Sequence, residues 1–256
     1  MKIALVGYGK MGKVIESIAK DRNHEIVARY NSSNPLNESN WVNCDVVIEF
    51  TSPEIAAKNI EFCLNKNTAI CIGSTGWYDD YDRLSQLCTN QQGAMLSATN
   101  FSVGVNIYWQ IAAYASRLFS QVEGYKTAIV ENHHTEKKDS PSGTAITLAE
   151  CFIENQKTIE QWKLQNTLWE ENAKNFKIEK SAFELNDDGV LPIIALREEG
   201  VPGTHQLLQF GEHDTIKLEH KAISRRGFAE GAVLAAEWLK DKKGVFRMSD
   251  MLKFEA

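Results

Sequence analysis

The sequence is poor in cysteine, and none of its cysteines forms a Cys-x-x-Cys pair. Cys44, Cys63, Cys71, Cys88 and Cys151 are odd in number and scattered, which argues against a disulfide framework or a thiolate zinc site and for reduced packing thiols. Also missing is any run of roughly 18 consecutive apolar residues, the length a membrane-spanning helix needs. The most apolar window, residues 103–119, is broken by Asn106, Gln110, Ser116 and Arg117. The opening MKIALVGYGKMG has a single lysine ahead of a short apolar run that Gly7 interrupts, unlike a secretion signal. A cytoplasmic protein with no membrane partner is expected. Positive charge is not in excess either: the formal net charge is −6, so the basic surface that a phosphate backbone requires is lacking. That removes nucleic acid and leaves a small molecule as the partner.

What remains is an ordinary soluble composition, 43% hydrophobic and 24% charged, over 256 residues, enough for one large domain or two smaller ones. The first hundred residues alternate short β-rich runs (residues 2–6, 25–30, 46–50, 68–72 and 94–97) with helical patterns (14–19, 55–64 and 81–88). Strands that are apolar throughout and separated by helices of this length are the mark of βαβ units. This predicts an α/β fold with a Rossmann-like, doubly wound parallel sheet. After residue 106 the pattern changes to a long apolar helix, a strand at 125–132 and a helix opening near Ser142. Strands at 193–196, 205–210 and 215–220 follow, the last two flanking turn-forming residues 211–214 and expected to pair antiparallel. A second, α+β domain with a mixed sheet is expected. The polar stretch 154–180 carries no readable pattern, and an amphipathic helix at 228–239 closes the chain.

Gly7, Gly9 and Gly12 in GYGKMG lie between the first strand and the first helix, the context in which G-x-G-x-x-G is informative. The first glycine allows the tight turn, the second a close approach to a pyrophosphate, and the third close packing of helix on strand. Amide donors at the helix start then face the phosphates. At the end of the second strand, a carboxylate suits the ribose of NADH and an arginine suits the 2′-phosphate of NADPH. Asn31 occupies that position, with Arg29 two residues earlier, so the choice between NADH and NADPH stays open.

The densest chemistry lies in ENHHTEKKDSPSGTA, residues 131–145. His133 and His134 end a strand, Lys137, Lys138 and Asp139 form a loop, and Ser142, Gly143 and Thr144 open a helix. A hydroxyl cap, a glycine and free first-turn amides make that helix start a site for a carboxylate. Adjacent histidines on an extended strand face opposite ways, so no metal site is expected. Histidine and lysine beside an anion site suit a dianionic substrate, and either can deliver a proton.

This run resembles the signature of the 4-hydroxy-tetrahydrodipicolinate reductase (dihydrodipicolinate reductase) family, an acidic residue and His-His followed by Lys-x-Asp-x-Pro-Ser-Gly-Thr-Ala. It is met by Glu131, His133, His134, Lys137, Asp139, Pro141, Ser142, Gly143, Thr144 and Ala145. The likeness extends to GYGKMG, IEFTSPE, IGSTGW, ATNFSVGVN and HKAISRRGFAEGAV, nearly the whole chain. The resemblance implies reduction of a small dicarboxylate by NADH or NADPH in the diaminopimelate route to lysine. By matching position it gives His133 and Lys137 proton-transfer roles, and His134, Ser142, Gly143 and Thr144 the substrate carboxylates. Cofactor contacts fall to Gly7, Tyr8, Gly9, Lys10, Met11 and Gly12, to Asn31, to Gly73, Ser74 and Thr75, and to Ala98, Thr99, Asn100 and Phe101. It further implies a dinucleotide domain of residues 1–103 and 224–256, a substrate and oligomerisation domain of residues 104–223, and a homotetramer. Arg225 or Arg226 would lie close to the second domain crossing. The rival readings are another amino-acid dehydrogenase, acting on aspartate or homoserine, and a dinucleotide sensor without turnover.

Overall fold

The computed structural model describes residues 1–185 and 189–253 and separates into two units, Met1–Asn106 with the chain from Arg225 onward, and Ile107–Ser224. Residues 254–256, the end of the expected dinucleotide domain, lie outside the described residues. The first unit runs β1 (Lys2–Val6), α1 (Lys10–Asp21), β2 (Glu25–Tyr30), β3 (Val46–Glu49), α2 (Pro53–Asn65), β4 (Ala69–Ile72), α3 (Tyr81–Asn90) and β5 (Ala94–Ser97). The helix α4 (Val103–Phe119) leads into the second unit: β6 (Lys126–His133), α5 (Gly143–Ile153), β7 (Gln161–Trp169), α6 (Glu170–Lys174), β8 (Val190–Arg197), β9 (Thr204–Phe210) and β10 (Thr215–Lys221). The chain returns to the first unit as α7 (Arg226–Leu239), β11 (Gly244–Phe246) and α8 (Met248–Met251).

The first unit holds an all-parallel sheet in the order β11-β5-β4-β3-β1-β2. Strands β3, β4 and β5 are buried along their whole length, as expected of strands covered on both faces. Alternate side chains go to opposite sides. Ile3, Leu5, Ile48 and Leu96 pack with Ile15 and Ile18 of α1 and with Ala232, Val233 and Ala236 of α7. Ala4, Val6, Val47 and Ile70 pack with Ile60 and Leu64 of α2 and Leu84 of α3. Leu64 is fully buried, so its truncation to alanine would cost about 2–5 kcal/mol. The strand order reverses between β1 and β3, and such a switch point is where open parallel sheets bind ligands.

The second unit has a mixed sheet in the order β10-β9-β6-β8-β7. As expected, β9 and β10 pair antiparallel, with Phe210 opposite Thr215. Strands β6, β8 and β7 run parallel to one another. One face carries Ala128, Val130, Ile194, Leu196, Leu208 and Phe210, covered by Ala173 and Phe183. On the helical side, the Ser116 hydroxyl of α4 donates to the Phe152 carbonyl of α5 at 2.6 Å.

Four of these elements escaped the sequence reading: β7, α6, β11 and α8. The polar stretch 154–180 contains the nine-residue strand β7, an edge strand with a mixed exposed and half-buried pattern. Its polarity reflects that exposure, and the register shift between Leu164 and Asn166 breaks the alternation that marks a strand. Gln165 is used locally, donating to the Ala182 carbonyl at 3.0 Å and accepting from the Glu184 amide at 3.0 Å. The others, α6, β11 and α8, have five, three and four residues, too few to show a period.

Candidate active site

Two groups of residues are brought together, one in each unit. In the first, every segment expected to touch a dinucleotide follows the carboxyl end of a strand. Gly7 turns the chain after β1 with φ +98°, and a Cβ there would overlap the Phe50 carbonyl oxygen at 1.9 Å. On Gly12 a Cβ would lie 2.7 Å from the Gly7 carbonyl oxygen, so the helix seats closely on the turn. Gly9 differs: nothing lies within 4 Å of the corresponding point. It caps α1 without any side-chain hydrogen bond, and no acidic residue stands in the first turn, so Lys10, Met11 and Gly12 open a helix suited to an anion. A backbone cradle that a Cβ would fill is what a pyrophosphate requires, and these residues fit a dinucleotide.

Beside that turn is a cleft of about 530 Å³ whose lining includes Gly7, Tyr8, Gly9, Asn31, Ser33 and Thr51. Asn31 does not reach out with its carbonyl: its Oδ1 accepts from the Ser33 amide (3.0 Å), the Ser33 hydroxyl (2.8 Å) and the Asn34 amide (2.9 Å). Nor is Arg29 held open for a phosphate. Its Nε and Nη2 donate to Glu16 at 2.9 and 2.5 Å, Lys20 joins the same carboxylate at 2.6 Å, and Tyr8 donates to it at 2.5 Å. The Arg29 hydrogen bond is the largest influence holding the Glu16 pKa well below the usual carboxylate range.

After β4, Gly73 donates to the Glu49 carbonyl at 2.8 Å, and Ser74 accepts from the Thr51 amide at 2.7 Å. Thr75 is the exposed residue of that segment. After β5, Ala98 donates to the Ile72 carbonyl at 3.1 Å and Thr99 is exposed. Asn100 and Phe101 turn inward: Asn100 accepts from the Ser102 amide at 2.9 Å, and the Phe101 ring lies 5.8 Å from that of Phe50. Their side chains shape the loop. Arg226 donates to Asp21 at 3.1 Å on an exposed surface.

The second group is built on β6. Glu131 has no solvent exposure, and its Oε2 accepts from Nδ1 of His133, which lies on the same face of the strand. Its Oε1 accepts from Arg197 Nη2 at 2.9 Å and from the Ser142 amide at 3.2 Å. Arg197, also without exposure, further donates to the carbonyls of Leu196 (2.6 Å), Asp139 (2.7 Å) and Lys137 (3.3 Å). One guanidinium thereby fixes the loop that carries Lys137. Lys137 Nζ is 2.8 Å from Asp139 Oδ2. Burial works to raise the Asp139 pKa, but the hydrogen bond and charge of Lys137 outweigh it and bring it below its ordinary value.

Ser142 caps α5, accepting from the Ala145 amide at 3.2 Å, and its Oγ lies 3.2 Å from Nε2 of His205. Gly143 is exposed, with open space where a Cβ would be, and Thr144 and His134 are half-buried. The His205 ring meets that of His133 edge to face at 5.0 Å. Desolvation first, and then the charge of His133, push the His205 pKa well below its ordinary value, so it is neutral near pH 7.

Glu131, His133 and His205 also have ligand atoms within 4.8 Å of one another, a spacing that a metal ion would accept. Their chemistry is that of a hydrogen-bonded network instead. Both Glu131 oxygens are already engaged, and the Arg197 guanidinium beside them repels a cation.

Arg197 and His205 were missed from sequence as site residues. Arg197 ends an apolar strand, the sole local hint that it is buried against a charge. Nothing in the sequence says that its partner lies 66 residues away. His205 is the second residue of β9, two positions after Gly203, whose φ is +153°.

Comparison with known proteins identifies the family. Residues 1–101 match the family model described as dihydrodipicolinate reductase, N-terminus, and residues 104–252 match that described as its C-terminus. The chain is 40% identical over 252 residues to a 4-hydroxy-tetrahydrodipicolinate reductase of Christiangramia forsetii, covering 98% of each. It is 36% identical over 217 residues to the protein of that name from Archaeoglobus fulgidus, covering 83% of this chain and 77% of the other. Among solved structures, a dipicolinate-bound dihydrodipicolinate reductase from a Paenisporosarcina species aligns with a TM-score of 0.73 at 23% identity. That alignment covers 98% of this chain and 99% of the other. An amine dehydrogenase from Mycobacterium smegmatis shares the fold at a TM-score of 0.60 and 9% identity, over 96% of this chain and 94% of the other.

Proposed function

The chain belongs to the dihydrodipicolinate reductase family, and from that premise we propose that it reduces 4-hydroxy-tetrahydrodipicolinate to tetrahydrodipicolinate with loss of water, using NADH or NADPH. The observation that carries the assignment is the buried junction of Glu131, His133, Arg197 and Ser142, which sets a histidine and a lysine-bearing loop beside the open helix start at Gly143. Glycines in this chain's first turn fit the dinucleotide, and a bound reduced nicotinamide supplies the hydride. The first-turn amides of α1 bind the pyrophosphate, with Gly9 leaving room for it. Gly73 to Thr75 and Ala98 to Phe101 shape the remaining contacts along the carboxyl ends of β4 and β5. The first-turn amides around Gly143 and Thr144, with Ser142 locked as cap, hold one substrate carboxylate, and His134 holds the other. Lys137 Nζ delivers the proton that balances the hydride, assisted by His133. Because Asp139 already holds that ammonium at 2.8 Å, substrate binding must draw Lys137 from its own loop.

We assign dinucleotide binding to residues 1–103 and 224–256 and substrate binding to residues 104–223, and the assembly to a homotetramer. Two features favour self-association: the exposed apolar stripe of Ile107, Ile111, Tyr114 and Leu118 along α4, and the open edge of β10. We place the protein in the cytoplasm, consistent with five free cysteines. No described helix is long and apolar enough to cross a membrane.

The product identifies the reaction. Incubation of the protein with NADPH and freshly generated 4-hydroxy-tetrahydrodipicolinate is expected to give a species lighter than the substrate by one oxygen atom. Recovery of the unreduced dehydrated heterocycle alone would overturn the assignment.

A further inference from the structure

We propose that Glu131 is a positioning residue that fixes which nitrogen of His133 carries the proton, and that Arg197 and the Ser142 amide fix which Glu131 oxygen faces that histidine. This rests on the reading of His133 as a proton-handling group.

A carboxylate only accepts hydrogen bonds, so Glu131 Oε2 requires a hydrogen on His133 Nδ1. The lone pair, or the transferable proton of the imidazolium, is then on Nε2. The surroundings of Nε2 are kept clear in an unusual way. A Cβ on residue 203 would lie 3.1 Å from it, and that residue is Gly203, in a left-handed conformation at φ +153°. The neighbouring imidazole, His205, is kept neutral by its burial and so places no second positive charge beside His133.

Glu131 cannot turn over. Its Oε1 receives two donors from separate elements, Arg197 Nη2 of β8 at 2.9 Å and the Ser142 amide at the start of α5 at 3.2 Å. All three side chains at this junction are buried, so water does not offer an alternative partner.

That asymmetry makes the isosteric variant Glu131→Gln informative. Two donors converging on the Oε1 position demand the amide oxygen there, which leaves the amide NH2 facing His133 Nδ1. A donor in that place requires a lone pair on Nδ1, and the proton moves to Nε2. The variant keeps size and shape but reverses the tautomer.

The experiment uses the full chain labelled with 15N-histidine, with the His133 signals assigned by comparison with His133→Ala. Wild-type protein is expected to show His133 protonated at Nδ1, and Glu131→Gln to show it protonated at Nε2. With that reversal kcat is expected to fall by on the order of 10²–10⁴, while NADPH affinity is unchanged. The double variant Glu131→Gln/His133→Ala is expected to be no slower than His133→Ala alone, since the two act as one unit. A wild-type His133 protonated at Nε2 overturns the proposal without recourse to any variant. An unchanged tautomer in Glu131→Gln, or additive losses in the double variant, also overturn it. If His133→Ala retains turnover, the proton-handling reading of His133 fails, while the tautomer spectra still decide what Glu131 does.

Discussion

Glu49 and Glu131 occupy comparable places in the two units, each a fully buried carboxyl group at or near the end of a central strand, and they are treated in opposite ways. Glu131 faces a buried arginine at 2.9 Å, a backbone amide and a histidine nitrogen, and both its oxygens are used. Glu49 has only neutral partners: Oε1 accepts from the Thr51 amide at 3.1 Å and from the Thr51 hydroxyl, and Oε2 makes no hydrogen bond. Burial pushes the Glu49 pKa up, against the weaker pull of Thr51, Ser74 and Asn59. The fold supplies a guanidinium where a negative charge has work to do beside a histidine. At the β3 end the carboxyl serves to join the Thr51 and Ser74 loops, and a neutral group suffices.

Removing the charge partner should expose the difference most. Arg197→Met leaves the Glu131 carboxylate buried and uncompensated, and is expected to cost about 3–5 kcal/mol in denaturant unfolding of the intact protein. A companion Glu131→Gln substitution in the same chain should recover part of that loss, and its failure to do so would show that the arginine acts through the Lys137 loop alone. Next comes Gly203→Ala, where a left-handed φ and the nearby His133 Nε2 together should cost about 1–3 kcal/mol and slow turnover.

A smaller effect, Ser142→Ala, removes the α5 cap for about 0.5–2 kcal/mol, measured as a lowered melting temperature. Glu49→Gln is the mildest change: it should match wild-type stability at acid pH and slightly exceed it near neutral pH. Its folded-state pKa is raised, so the native state holds a proton that the unfolded chain has released. Wild-type stability should therefore fall as pH rises from the ordinary glutamate value of 4.5 towards the raised one, and then level off. Urea unfolding across that range should show the slope in wild type and a flatter line in Glu49→Gln. Equal slopes in both would mean that Glu49 is not the titrating group.

Legibility followed the range of each interaction. The glycine turn could be read because its causes are local: Gly7, Gly9 and Gly12 sit between a strand and a helix that each announce themselves by period. Strands β3, β4 and β5 were equally plain, being apolar on both faces. In the second unit the run from Glu131 to Ala145 could be read as chemistry, but not the reason it is rigid. Arg197 and His205 come from strands that pair with β6 only in three dimensions, and no pattern around either points to Glu131. The edge strand β7 was hidden by its own exposure, and the hydrogen bonds that Asn31 accepts from Ser33 and Asn34 have no signature in the sequence.

The central claim, a reductase whose proton comes from the Lys137 loop, is tested most directly by reduced-nicotinamide absorbance. The freshly generated heterocycle is added to wild-type protein and to Lys137→Ala, each loaded with NADPH. Wild type should show a steady loss of absorbance that depends on the heterocycle. The variant should be slower by on the order of 10²–10⁴ at unchanged NADPH affinity. Absorbance that stays constant in wild type while NADPH binds would contradict the account and identify a dinucleotide-binding protein without turnover.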